Sequence, residues 1–396
     1  MNNYKKNEIK LLKKINNKVD ISIDNDYENI KKFILINTNK FPISITNNGT
    51  NKNYKFDNKN ISYFYTYSRF DGYINYATML QDFYCVKRNN YKTKVFFTNS
   101  GMSAISSVLY SIDLMYKDYD FVFYKDDIYF EAYDYINKCL KSIRKNSNNK
   151  ILYIDTICKK YNENEIYNLD FKNIKLIIFD TTCFIASEMK KIIDFLICKN
   201  IPIVLVRSHT KLDMLGSELT SMGSIIYIIP NSLNDEYTKN IIELIRKNFY
   251  ILGKFNSLLS INNFYEIIFN KNFIKTNNER IKLIEDNNEK LYLYLKNKYQ
   301  NIKLILPTHK KFLLFLPTKN YNSVNEQLEK YKKLVCAFCN KKREIFYSGS
   351  FGFDYVSMDV YFDLNLSNFV IRISMNNSDK LESIFNDIGE FVNDNI

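Results

Sequence analysis

The sequence lacks any apolar run long enough to cross a membrane as a helix, which takes about 20 predominantly apolar residues. The first residues, Met1–Lys6, lead into no apolar signal-peptide core. Histidine is nearly absent, since His209 and His309 are the only two, and they are too few and too far apart for a histidine metal site. We therefore expect a soluble cytoplasmic protein with no membrane partner and no metal centre.

Cysteine is present but forms no disulfide pattern. The seven cysteines have irregular spacings, which favours free thiols in a reducing compartment over a secreted disulfide framework. Cys336 and Cys339 have the spacing of a redox or zinc pair, but no second cysteine or histidine pair accompanies them. Because the pair falls in a predicted amphipathic helix, we expect it to be packed in a core.

Positive charge is in excess, with a net charge of +13. Clustered lysine and arginine would favour nucleic acid, because such clusters follow a phosphate backbone. Here the lysines are spread among Asn, Ile and Tyr along the whole chain, and no nucleic-acid-binding motif accompanies them. We expect no nucleic-acid partner, and a basic binding protein without catalytic activity remains an alternative function.

The length of 396 residues favours two domains, since a single core rarely grows beyond about 250–300 residues. Residues 1–65 are mostly polar and rich in asparagine, so we predict an N-terminal arm that contributes to a dimer interface. We predict a large domain at residues 66–257 and a small C-terminal domain at residues 258–396.

From about residue 93, short β-rich runs alternate with helical stretches. This alternation is typical of an α/β protein with a mostly parallel central sheet flanked by helices. The predicted strands of that sheet are Lys94–Thr98, Phe121–Tyr124, Ile151–Ile154, Lys175–Phe179, Ile203–Val206 and Ser224–Ile228. Helices are predicted at Met102–Leu114, Glu188–Ile197 and Tyr237–Leu252, and around Ile281 to Leu295. A smaller α+β C-terminal domain is predicted from strands at Leu304–Leu306, Phe312–Leu316 and Phe369–Ile373 and helices at Ser323–Asn340 and Lys380–Val392.

Three segments place polar residues directly after predicted strands, where ligands bind in open α/β sheets. Ser100-Gly101-Met102 turns from a strand into a helix, whose free N–H groups suit a phosphate, although such turns are also common without a ligand. Asp180 ends a strand, where a carboxylate suits a protonated ring nitrogen or simply caps a turn. Lys211 follows Ser208 and Thr210, and a partly desolvated lysine can form a Schiff base because burial lowers its pKa.

The order of these motifs resembles the Cys/Met-metabolism family of pyridoxal-phosphate enzymes, which includes cystathionine synthases and lyases and methionine γ-lyase. The family's Tyr-Ser-Arg is similar to Tyr67-Ser68-Arg69, its Ser-Gly-Met to Ser100-Gly101-Met102, and its cofactor-stacking tyrosine to Tyr129. Its Asp-Asn-Thr-Phe resembles Asp180-Thr181-Thr182-Cys183-Phe184, its Ser-x-Thr-Lys resembles Ser208-His209-Thr210-Lys211, and its Arg-Leu-Ser resembles Arg372-Ile373-Ser374, preceded by Ser348-Gly349.

The resemblance implies fold type I of these enzymes, with pyridoxal 5'-phosphate bound in the large domain of a homodimer or homotetramer. Lys211 would hold the cofactor as a Schiff base and move protons, Asp180 would pair with the ring nitrogen, and Tyr129 would stack on the ring and act as an acid or base. The other implied cofactor contacts are Ser100, Gly101, Met102, Thr182, Ser208 and Thr210, together with Tyr67 and Arg69 from the neighbouring subunit. The implied contacts of an amino-acid substrate are Arg372, through its carboxylate, and Ser348.

The sequence departs from the family pattern beside the expected ring. Phe130-Glu131-Ala132 stands where the family has Gly-Gly-Thr after the stacking tyrosine, which favours a reshaped substrate pocket. Tyr129 and Glu131 offer acid–base groups near the substrate side chain. We therefore expect a lyase or transferase that carries out β- or γ-elimination or replacement, with transamination by the same residues as the alternative.

Overall fold

The computed structural model describes residues 52–56, 59–63, 80–84, 91–116, 118–216, 222–233, 240, 271–299, 302–317, 324–363 and 366–395. The first part of the chain contains β1 (Lys52–Phe56), β2 (Lys59–Tyr63), β3 (Tyr91–Thr98), α1 (Gly101–Met115), β4 (Asp120–Phe123), α2 (Phe130–Cys139), β5 (Lys150–Asp155), α3 (Glu163–Tyr167), β6 (Ile174–Asp180), α4 (Lys190–Ile197), β7 (Ile203–Ser208), α5 (His209–Leu212) and β8 (Gly223–Pro230). The second part contains α6 (Lys271–Lys298), β9 (Lys303–Ile305), β10 (Leu313–Leu316), α7 (Val324–Cys339), β11 (Ile345–Tyr347), β12 (Val356–Asp363), β13 (Asn368–Ser374) and α8 (Leu381–Asn395).

The larger sheet has six strands in the order β3-β8-β7-β6-β5-β4. Strands β4 to β7 are parallel to one another, whereas β8 runs antiparallel to both β7 and β3. The carboxyl ends of β3, β5, β6 and β7 therefore lie at the same end of the sheet, together with the first residue of β8.

Apolar side chains cover both faces of this sheet. Strand β6 is buried at every position except Lys175, as expected for a strand covered on both sides. Helices α1 and α2 pack on one face through residues such as Leu109 and Ile136. Helix α4 packs on the other face through Ile192 and Leu196. The helices and the sheet thus fix the positions of the strand ends.

The smaller sheet has five strands in the order β11-β12-β13-β10-β9, and only β11 and β12 are parallel. Helices α6, α7 and α8 contribute Leu291, Val335 and Ile388 to its core. This arrangement is the smaller α+β unit predicted from the sequence.

Polar and apolar contacts join the large unit, which contains the six-stranded sheet, to the small unit, which contains the five-stranded sheet. The Nζ atom of Lys159 lies 3.0 Å from Asp127 Oδ1 and 2.9 Å from Asp363 Oδ2, at the end of β12. Beside this ion triad, Leu212 of the large unit belongs to the same apolar cluster as Phe351 of the small unit. These contacts connect the large unit to the small unit.

The predicted fold class is confirmed, and each predicted strand is present with ends that differ by at most a few residues. The strand predicted at Lys94–Thr98, for example, begins at Tyr91. Helices α2, α3 and α5 and strands β1, β2, β11 and β12 were not predicted. The predicted helix Tyr237–Leu252 and the predicted boundary near residue 257 lie outside the described residues, apart from residue 240, so the domain limits stay predictions. No helix in the described ranges is long and apolar enough to cross a membrane.

Candidate active site

The carboxyl end of the large sheet carries polar residues on neighbouring strands. Asp155 ends β5 and Asp180 ends β6, and the strand register pairs these two residues. Ser208 ends β7 and pairs with Gly223, which in turn pairs with Thr98 at the end of β3. The parallel topology therefore brings residues that are far apart in the sequence to one place.

A cavity of about 330 Å³ opens at this end of the sheet. Its lining includes all the cofactor contacts that were predicted in the described part of the chain, namely Ser100, Gly101, Met102, Tyr129, Asp180, Thr182, Ser208, Thr210 and Lys211. Asp155, Glu131, Cys183, Ile105, Ile157 and Ser350 complete the lining. Tyr67 and Arg69 lie outside the described residues.

The first turn of α1 forms one wall of the cavity. The hydroxyl of Ser100 caps this helix by accepting a hydrogen bond of 3.0 Å from the backbone N–H of Ser103. Gly101 allows the turn to lie against the end of β7, because a Cβ atom at this position would be 2.5 Å from the Cβ of Ser208. Thr210 accepts a hydrogen bond of 3.1 Å from the N–H of Met222. The helix start, Ser208 and Thr210 together make a cup that suits a phosphate.

Asp180 is buried on the floor of the cavity. Its Oδ1 atom accepts hydrogen bonds from Thr182, at 2.9 Å from the N–H and 2.6 Å from the hydroxyl. Thr182 also accepts a 3.1 Å bond from the N–H of Ser208, so it links the aspartate to the phosphate cup. Burial raises the pKa of Asp180, and these hydrogen bonds oppose the rise.

Lys211 lies in the short helix α5, directly after β7, and is partly buried. Its Nζ atom is 4.9 Å from the ring centre of Tyr129 and 5.2 Å from that of Phe351. Burial lowers the pKa of Lys211, and the nearby Arg372 lowers it further. A larger fraction of neutral amine is therefore available for reaction with a carbonyl carbon than on a surface lysine.

A buried ionic network supports the segment that carries Lys211. Arg207 binds both carboxylate oxygens of Asp213, at 2.6 and 2.7 Å. His209 bridges Asp213 and Ser224 through its two ring nitrogens, each at 2.7 Å. Arg207 also donates hydrogen bonds to the carbonyl oxygens of Thr181 and Phe184. This network was not predicted, because nothing in the sequence shows that the side chain of Arg207 reaches Asp213, Thr181 and Phe184.

Tyr129 stands between the main cavity and a second, narrower one. It precedes α2, and its backbone N–H donates a 2.9 Å hydrogen bond to Asp155 Oδ2. Burial raises the pKa of its hydroxyl, and so does the neighbouring Glu131. Tyr129 therefore stays protonated at neutral pH and can donate a proton.

Arg372 lines the second cavity, which shares Tyr129 and Ile157 with the first. Its Nη2 atom is 3.0 Å from Asp359 Oδ2 on the neighbouring strand, where the register places the two residues opposite each other. Ser348, the other predicted substrate contact, lines neither cavity. Its N–H is bonded to the carbonyl of Met358, and Ser350 occupies the cavity wall instead.

Asp155 is the main site residue that was not predicted from the sequence. The signal was present, because Asp155 directly follows the predicted strand Ile151–Ile154, just as Asp180 follows Lys175–Phe179. Cys183 also lines the cavity, and burial raises the pKa of its thiol to about 12, so the thiol is a poor nucleophile.

No protein-family model and no curated protein matches the sequence. Solved structures do match. An O-acetylhomoserine (thiol)-lyase of Campylobacter jejuni, whose structure contains N'-pyridoxyl-lysine-5'-monophosphate, is 14% identical with a TM-score of 0.57 over 98% of this chain and 99% of that chain. A methionine γ-lyase of Micromonospora echinospora is 10% identical with a TM-score of 0.54 over 91% of this chain and 97% of that one.

A third match is the aspartate aminotransferase of Plasmodium falciparum, at 15% identity and a TM-score of 0.53 over 94% of this chain and 88% of that one. These structures belong to both lyases and aminotransferases. The likeness shows that the chain has fold type I, as the sequence predicted.

Proposed function

We propose that this protein is a pyridoxal-phosphate enzyme that acts on an amino acid, with Lys211 as the point of covalent attachment. The proposal rests on one observation: a single cavity is lined by Lys211, Asp180 and the start of α1. Each would contact a different part of the same molecule: the carbonyl carbon, the ring nitrogen and the phosphate. The presence of a pyridoxyl-lysine in a structure of the same fold supports this assignment.

The donor set fits this cofactor. The N–H groups at the start of α1, with Ser208 and Thr210, would hold the phosphate. Asp180 would accept the ring N–H, and Tyr129 would stack on the ring. When bound, the cofactor supplies an electron sink for the negative charge that forms on the substrate's α carbon.

Lys211 would carry out the proton transfers at the substrate's α carbon. Burial lowers the pKa of Lys211, so more of its amine is in the neutral form that can accept a proton at that carbon. The rings of Tyr129 and Phe351 lie beside Nζ and would limit its possible positions. The buried Arg207–Asp213 pair would keep the segment in place during these steps.

We propose elimination or replacement at the substrate side chain as the reaction class. The support is the pair Tyr129 and Glu131, which both line the cavity. The protonated hydroxyl of Tyr129 would give its proton to a leaving group and would regain a proton from solvent, which Glu131 would relay. Transamination, which the same Lys211, Asp180 and Arg372 would also serve, is the alternative.

Arg372 would bind the substrate carboxylate. Asp359 takes one hydrogen bond from its Nη2 atom, and the guanidinium has further N–H donors for a ligand. Its position in a cavity that shares Tyr129 with the cofactor cleft is compatible with a substrate that spans both spaces.

The test of this proposal is turnover of amino acids, found by screening for changes in the cofactor's absorbance and then identifying products. We expect Lys211→Ala to lose activity while keeping its fold. Lys311→Ala is the matched control, because Lys311 is also buried, with its pKa lowered to about 8, but it pairs with Glu285 and does not line the cavity. Full turnover by Lys211→Ala would overturn the proposal.

The reaction class is tested in a single turnover without a keto acid. Elimination or replacement should release a side-chain group and return the cofactor to Lys211. Accumulation of one equivalent of the amine form of the cofactor would instead establish transamination. A chain that binds the cofactor but changes no amino acid would be a binding protein.

A further inference from the structure

The floor of the cavity carries two carboxylates where the sequence analysis assigned one. Asp155 and Asp180 end adjacent parallel strands and are paired by the strand register. They are 1% and 5% exposed, respectively, and both line the cavity. Carboxylates are rarely this buried without a partner, so a pair of them at one place needs an explanation.

The hydrogen bonds give the two aspartates different tasks. Thr182 bonds only Oδ1 of Asp180, and Oδ2 accepts no hydrogen bond from the described residues. Both oxygens of Asp155 are engaged by backbone N–H groups at 2.9 Å, Oδ1 by Ile157 and Oδ2 by Tyr129. Asp180 therefore keeps an acceptor for a ligand, whereas Asp155 is held by the chain itself.

We propose that Asp155 is a positioning residue for the cofactor ring, which rests on the function proposed above. It supplies a second negative charge beside Asp180 that favours the protonated ring, and through the N–H of Tyr129 it holds the stacking residue over that ring. Asp180 alone makes the direct contact.

The surroundings of Asp155 determine when it carries that charge. The titratable groups that face it are Asp180, Lys211, Cys183, Asp127, Cys158, Tyr153, Tyr129 and Glu131. Burial, followed by Asp180, raises the pKa of Asp155 well above its ordinary value, and the hydrogen bonds from the two backbone N–H groups oppose the rise. A positive charge held by Asp180 would offset the repulsion between the two carboxylates, so a protonated ring would favour the ionised form of both.

The test is the pH titration of the absorbance of the cofactor attached to Lys211. Asp155→Asn keeps the size of the side chain and removes its charge, so the midpoint should move to lower pH by about one unit, since loss of a nearby negative charge disfavours the protonated form. Asp127→Asn is the matched control, because Asp127 is a buried carboxylate of the same unit that pairs with Lys159. It should move the midpoint far less. Asp155→Glu, which keeps the charge, should restore the midpoint.

An unchanged midpoint in a folded Asp155→Asn protein with attached cofactor would overturn the inference and leave the proposed function standing. Failure of cofactor to attach even to the wild-type protein would instead overturn the proposed function. If Asp155→Asn does not fold, infrared spectroscopy of the wild-type holoprotein with isotope-labelled aspartate decides. A protonated buried aspartate at neutral pH would contradict the inference, and its absence would support it.

Discussion

Burial shifts the pKa values of Asp180 and Lys211 in opposite directions. It raises the pKa of Asp180 and lowers the pKa of Lys211, so it disfavours the charged form of each. The cavity thus favours a neutral amine on Lys211, which can attack a carbonyl carbon. A ligand that brings a positive charge to Asp180 stabilises the ionised form of this aspartate. Both properties suit a protonated pyridine ring that carries an aldehyde.

Replacing Asp180 by Asn should leave the cofactor attached to Lys211 but slow the reaction. An amide cannot stabilise the protonated ring as a carboxylate does, so the electron sink becomes weaker. We expect turnover to fall by about 100-fold, which corresponds to about 2.7 kcal/mol in the activation barrier. The measurement is turnover at saturating cofactor, with attached cofactor quantified by absorbance.

The control for this variant is Asp170→Asn, which changes an exposed turn aspartate and should leave turnover unchanged. Unchanged turnover in Asp180→Asn would mean that Asp180 serves only to bind Thr182.

At the scale of helices and strands, the phosphate cup depends on the close packing of α1 against the end of β7. Gly101→Ala would place a Cβ atom 2.5 Å from the Cβ of Ser208, so the first turn of α1 must shift. We expect the affinity for pyridoxal phosphate to fall at least about tenfold, or about 1.4 kcal/mol, while the affinity for pyridoxal, which has no phosphate, changes less. Equilibrium binding of both compounds measures the difference.

Gly349→Ala is the matched control, because a Cβ atom there would meet only Asp359 Oδ2, at 3.9 Å. Equal losses of affinity for pyridoxal phosphate and pyridoxal in Gly101→Ala would place the effect elsewhere than at the phosphate.

The segment that carries Lys211 is stabilised by the buried ion pair between Arg207 and Asp213. Asp213→Asn breaks the bidentate contact with Arg207 and leaves a buried guanidinium without its counterion, so the free energy of unfolding should fall by about 3 kcal/mol. Asp194→Asn, which removes a more exposed pair with Lys190, should cost less than about 0.5 kcal/mol. Chemical denaturation at neutral pH measures both, and equal losses would contradict the assignment.

The same pair predicts how stability depends on pH. Burial raises the pKa of Asp213, but Arg207 and His209 together outweigh it and hold that pKa at about 2, below its ordinary value of 3.8. The stabilisation is therefore complete above the ordinary value and is lost as the pH falls towards 2.

The sequence predicted elements better than contacts between them. The strands β3 to β8 and the residues at their ends follow from local apolar runs, and the parallel topology then brings the ends together. Helix α2 was missed because it contains few strongly apolar residues, and only Ala132 and Ile136 along it are buried. The pairing of Arg372 with Asp359 depends on the register of β12 and β13, which local sequence patterns do not specify.

At the scale of the whole molecule, the site lies between two units and, by the resemblance of Tyr67-Ser68-Arg69 to a family motif, also between two subunits. We predict that the active form is a homodimer or homotetramer in which Tyr67 and Arg69 complete the neighbouring subunit's phosphate site. Mixing Arg69→Ala protein with Lys211→Ala protein should then restore part of the activity, because a hybrid dimer contains one intact site.

The controls for this experiment are each variant alone, carried through the same mixing procedure. Tagged subunits show whether hybrids form. Hybrids that form and are all inactive would contradict the shared site.

The central claim, that Lys211 carries the cofactor, is tested most directly by chemical mapping. The wild-type protein is incubated with pyridoxal phosphate, reduced with borohydride and digested, and the modified peptide is identified by mass spectrometry. The account predicts stoichiometric modification of Lys211 and none of Lys311, although burial lowers the pKa of both lysines. Stoichiometric modification at any other lysine, or no modification of Lys211, would contradict it.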